Sequence, residues 1–148
     1  AVRSAMAELL SLDEPRERFA AMMSGLHVRY DMGLQEIDKA HPLVGRRMPD
    51  LEIQTNGRPL RVYSLLHTAR PALVNFGEGR GRDIAAWSDR VQTIDARYSG
   101  SWELPAIGPV PAPGSVLIRP DGHVAWVGGP SETGLDDALR RWFGPPRE

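Results

Sequence analysis

The apolar positions of this chain change period near residue 40. Between Ser4 and Leu26 they recur at helical spacing, whereas from His41 onward they gather into short runs bounded by turn residues. Ala5, Met6, Leu9 and Leu10 share one helical face. Pro15 follows Asp13 and Glu14, which suits the first turn of a second helix, where its missing amide hydrogen costs nothing. Phe19, Met22, Met23 and Leu26 then fall at i, i+3, i+4 and i+7, an amphipathic stripe, and Gly25 marks the end of the helix. Val28 and Tyr30 alternate briefly. The polar stretch from Asp31 to Ala40 reads as a linker.

The second part reads differently. Pro42 and Pro49 force extended backbone before them, and Leu51 and Ile53 alternate as a strand. Asn56-Gly57 is a hairpin turn dipeptide, and Arg61 to His67 reads as a short helix. Leu73, Val74 and Phe76 form a buried strand. A glycine-rich bend follows, and Asp83 is expected to cap a helix reaching about Tyr98, with Ile84, Trp87, Val91 and Ile94 inward. Ser101 to Ile107 is a short strand region. Strands at Val116–Ile118 and Val124–Val127 are joined by Arg119-Pro120-Asp121-Gly122, which is hairpin chemistry. Trp126 is expected to share a face with Val124, with Val127 opposite. Thr133 to Asp136 has capping-box form, Leu135, Ala138, Leu139 and Trp142 make one apolar face, and Gly144 ends the last helix.

A βαβ half followed by a hairpin and a C-terminal helix is the thioredoxin-like α/β arrangement: a central mixed sheet with flanking helices. The expected organisation is a helical arm and linker over 1–40 and a thioredoxin-like domain over 41–148. The arm's stripe, Phe19, Met22, Met23 and Leu26, is a candidate interface, set against packing on the domain's own core. The chain opens inside an apparent helix, as a piece of a longer protein would.

In thioredoxin-fold proteins the bend after the buried strand holds a reactive cysteine pair. Here Gly77, Glu78, Gly79 and Arg80 occupy it, and the chain has no cysteine. Thiolate chemistry is therefore excluded. A phosphate-cradling role for the glycines matches neither dinucleotide nor P-loop spacing, and Glu78 and Asp83 oppose an anion. The plainer reading is an exposed turn where a thiol site once stood.

Composition narrows the function further. The net charge of −1 gives no case for nucleic acid or a polybasic membrane contact. No apolar run approaches a membrane span, and the lack of cysteine fits a reducing cytoplasm. Of 18 basic residues only Lys39 is lysine, a bias of the kind a GC-rich genome produces. His27, His41, His67 and His123 show no metal-ligand spacing, and His123, after the hairpin turn, is expected to be exposed. Ser115 has no base nearby in sequence, and Asp136 and Asp137 suit a helix N-terminus without further purpose. No catalytic, cofactor-binding or metal residue is assigned.

Four stretches carry a resemblance. These are Ser24 to Asp31 (SGLHVRYD), His41 to Asp50 (HPLVGRRMPD) with the later VYSLLH, Val116 to Val127 (VLIRPDGHVAWV) and Gly134 to Pro145 (GLDDALRRWFGP). Together they resemble the C-terminal region of class A FAD-dependent aromatic hydroxylases of polyketide pathways, the anthracycline and angucycline hydroxylases among them. The resemblance implies a parent enzyme that uses FAD, NAD(P)H and dioxygen on an aromatic polyketide. It implies that flavin and substrate sit upstream, so that no cofactor belongs to this chain, and that the partner is the flavoprotein core or a second subunit. The alternative is a free-standing, cysteine-free thioredoxin-like binding module.

Overall fold

The computed structural model of the chain describes residues 1–36, 38–77, 84–105, 107–129 and 133–147. Two helices lead, α1 (Val2–Ser11) and α2 (Asp13–Ser24). They pack on each other, and Ala21 is the only buried residue of either. Gly25, at φ 70°, ends α2, and the Leu26 amide turns back to the Ala21 carbonyl at 3.1 Å.

The hairpin β1 (Glu52–Thr55) and β2 (Arg58–Arg61) turns at Asn56-Gly57, both at positive φ, as a two-residue hairpin turn requires. A 3-10 turn follows over Val62–Leu66. The central strand is β3 (Ala72–Asn75), buried at all four residues. It pairs in parallel with β4 (Gln92–Asp95). A small hairpin of β5 (Glu103–Leu104) and β6 (Gly108–Pro109) leads to β7 (Ser115–Ile118), antiparallel to β3, and then to β8 (Val124–Gly128). The order β4-β3-β7-β8 with one parallel pair, closed by α3 (Leu135–Phe143), is the thioredoxin-like arrangement.

The sheet divides two cores. Ala72 and Val74 of β3, with Val116 and Ile118 of β7, meet Leu43, Met48, Ile53 and Val62 on one face. Leu73 and Leu117 point the other way, against Trp87, Leu135, Ala138 and Leu139. This alternation is the period of two that a strand imposes.

Three expectations need correcting. No helix runs to Tyr98. A 3-10 turn at Ala85–Trp87 gives way to β4, because residues 92–95 gain a full parallel ladder with β3; Asp83 lies outside the described residues. Trp126 does not share a face with Val124. Leu117 pairs with Trp126 but Ile118 with Val124, so Ala125 is an extra residue, a β-bulge that turns Ala125 and Trp126 into the second core. Thr133 does not cap α3. Gly134, at φ 89°, is the N-cap, and the Thr133 carbonyl instead accepts the Trp126 indole N–H at 3.1 Å.

Candidate functional site

Two places matter: the end of β3, where a thiol site would stand, and the apolar face of α2. At the first, Gly77 is exposed, while Glu78, Gly79 and Arg80 lie outside the described residues. Just before Gly77, a polar row crosses the sheet. Asn75 sits in register with Asp95 on β4 and with Ser115 on β7. Ser115 Oγ–H donates to Asn75 Oδ1 at 3.0 Å, and Asn75 Nδ2 donates to Asp95 Oδ1 at 2.9 Å. Asn75 and Ser115 are buried, so each needs a partner, and each has one.

In this row the Ser115 hydroxyl is engaged by the Asn75 amide oxygen, and the Asp95 carboxylate accepts from Asn75 rather than from Ser115. Beside it, Phe76, Trp102 and Tyr98 pack edge to face, with centroids 5.1 Å apart for each pair. The row was not read from the sequence. The signal available was an asparagine inside an otherwise apolar buried strand.

At the second place, the stripe residues are open: Phe19 is 39% exposed, Met22 59%, Met23 74% and Leu26 36%. Met6, Leu9 and Leu12 of the leading segment are exposed too. A shallow groove lies along the face between Pro15, Phe19, Met22 and His27. The structure thus gathers the four stripe residues on α2 and its C-terminal turn, far along the chain from the polar row at β3.

The His41 ring ties two loops together. His41 Nε2–H donates to the Pro111 carbonyl at 2.9 Å, and its Nδ1 accepts the Leu43 amide at 3.2 Å. Burial, with the Arg29 charge as a lesser cause, holds the His41 pKa below its ordinary value; the Pro111 bond opposes this. His123 is not exposed as expected. Its side chain is 14% exposed, because the backbone bridge to Arg47 draws it under the Tyr30 ring, 5.0 Å away and edge on. Among the described residues no three acidic or histidine side chains converge as a metal site.

Residues 41–146 match the aromatic-ring hydroxylase C-terminal family, and the chain belongs to that family. It is 38% identical over 157 residues to the 12-dehydrotetracycline 5-monooxygenase/anhydrotetracycline 6-monooxygenase of Streptomyces rimosus, covering 98% of this chain and 28% of that protein. It is 34% identical to a rifampicin monooxygenase of Streptomyces venezuelae, covering 97% of this chain and 26% of the relative. Among solved structures, OxyS anhydrotetracycline hydroxylase from Streptomyces rimosus superposes with a TM-score of 0.77 at 36% identity, over 98% of this chain and 29% of that one. The angucycline-pathway aromatic hydroxylase CabE gives 0.75 at 37%, over 99% and 29%. The chain therefore spans little more than a quarter of the length of these relatives.

Proposed function

We propose that this chain is the accessory domain of an FAD- and NAD(P)H-dependent aromatic polyketide hydroxylase, with a structural role and no redox chemistry of its own. One observation carries the reading. The bend that bears thiol chemistry in this fold is Gly77-Glu78-Gly79-Arg80 in a chain with no cysteine, and the strand leading to it ends in Asn75, whose side chain is held by hydrogen bonds to Asp95 and Ser115. A dialkyldecalin synthase of Streptomyces rugosporus, 28% identical, carries a matching segment over 97% of this chain. A domain shared by proteins named for different reactions supports a role apart from the chemistry. A more distant neighbour, the flavin-dependent monooxygenase PieE solved with FAD and substrate, shares the fold at 20% identity and a TM-score of 0.50.

On this reading residues 1–40 are the arm and linker, residues 41–148 are the accessory domain, and the partner is a flavoprotein core of the same chain or a second subunit. The exposed stripe is the docking face. Methionines suit it, since flexible thioethers adapt to an irregular partner surface. Titrating FAD against the chain tests the cofactor part. Flavin fluorescence should stay unquenched, and stoichiometric quenching at low micromolar flavin would overturn the reading.

A further inference from the structure

The described residues of 31–40 lie in neither helix nor strand, yet the chain on either side of them is fastened together. Arg29 Nε donates to the Val44 carbonyl at 2.9 Å, and its Nη2 reaches the Ala40 and His41 carbonyls at 3.3 and 3.2 Å. Arg46 reaches back: Nε to the Pro42 carbonyl at 3.0 Å and Nη1 to the His27 carbonyl at 3.1 Å. The Tyr30 amide donates to the Gly45 carbonyl at 2.9 Å. This pair of strands of chain is then sewn to the sheet. The Gly45 amide donates to the Val124 carbonyl, and the Val124 amide to the Arg46 carbonyl, each at 2.9 Å.

The last turn of α2 joins the same network. The His27 ring Nδ1–H donates to the Ala21 carbonyl at 3.1 Å, while the His27 carbonyl holds Arg46. A guanidinium carries its donors in a fixed planar fork, so several carbonyls at once fix both its position and theirs. Met32 is buried and Leu34 packs on the second core, so the intervening loop also lies against the domain.

We infer that Arg29 and Arg46 form a clasp that makes α2 and the sheet one rigid body, so that the α2 stripe is presented as a preformed face at a fixed angle. This rests on the docking role proposed above for what the face is used for, but the rigidity itself does not depend on it. Arg29 and Arg46 are positioning residues: the carbonyls they bind, those of Val44, Ala40, His41, Pro42 and His27, belong to none of the four stripe residues. Rigid presentation lowers the ordering cost of association, which a freely jointed arm would incur on each encounter.

The absence of cysteine makes the test clean. Nitroxide labels at Glu17→Cys and Asp137→Cys, both exposed, report the α2-to-α3 distance by pulsed dipolar spectroscopy on the 148-residue chain. The clasp gives a single narrow distance distribution, at least twofold broader after Arg29→Met. Arg29→Lys, which keeps the charge and loses the fork, should broaden it as well. If Arg29→Met loses its near-ultraviolet tryptophan signal, Arg46→Met is read in its place, since that change removes the carbonyl bonds to Pro42 and His27 only. A broad distribution in the unsubstituted chain, or an unchanged width in a folded variant, would overturn the inference. A narrow distribution in a chain that fails to bind any flavoprotein core would remove the docking role and leave the clasp.

Discussion

The Tyr30 amide donates to the Gly45 carbonyl, and a side chain on Gly45 would collide with the Tyr30 carbonyl oxygen. Gly45 also sits at φ 82°, in the left-handed region. Glycine is therefore required there twice, by conformation and by close approach. Gly45→Ala should cost more than ~2 kcal/mol, the sum of left-handed strain and a displaced strap. Gly57→Ala, at φ 74° with open space around it, should cost less. Urea midpoints of the two variants check the ranking.

Trp126 and Trp142 should differ as anchors. Trp126 is 3% exposed in the second core and donates to the Thr133 carbonyl. Trp126→Ala should cost ~3–5 kcal/mol by emptying that site. Trp142 is half-buried under the Arg119 guanidinium, 4.4 Å from its ring centroid, and its truncation should cost less. Thermal melts give both values, and equal losses would show that α3 packs otherwise.

The polar row makes a coupled prediction. Asn75→Ala strands Ser115 Oγ in the sheet and should cost ~1–3 kcal/mol, the desolvation of a group left unpaired. Adding Ser115→Ala should recover part of that loss. A double-mutant cycle with no coupling would mean the bond contributes nothing.

His41 sets a pH dependence. Its folded pKa lies below the ordinary value near 6.5, so the folded state favours the neutral ring. The unfolded chain binds the proton more readily, and stability should fall as pH drops below ~6.5 and level off beneath the folded pKa. Protonation would also break the Leu43 amide bond to Nδ1. The ring is partly exposed, which keeps the effect modest. His41→Gln should flatten the slope of urea midpoint against pH in that window.

The elements that were legible had local causes. Ala72, Leu73 and Val74 are a buried apolar run, and Asn56-Gly57 and Pro120-Asp121-Gly122 are turn chemistry that needs no distant partner. The misreadings have distant causes. Ile84, Trp87, Val91 and Ile94 fit a helical period, but β3 claims residues 92–95 by pairing. The Ala125 bulge inverts the face of Trp126 and depends on the register of β7. Asn75 finds its partners 20 and 40 residues away. The clasp was invisible for another reason: Arg29 and Arg46 bind backbone carbonyls, which no residue type marks.

The docking role of the α2 stripe is tested most directly by sedimentation of the chain with the proposed flavoprotein core supplied as a separate polypeptide. The account predicts a one-to-one complex whose affinity falls at least ~10-fold, about 1.4 kcal/mol, when Met22→Glu and Met23→Glu place charge on the stripe. Circular dichroism should show that variant folded, since both methionines are exposed. Equal affinity of the unsubstituted and doubly substituted chains, or no complex with either, would contradict it.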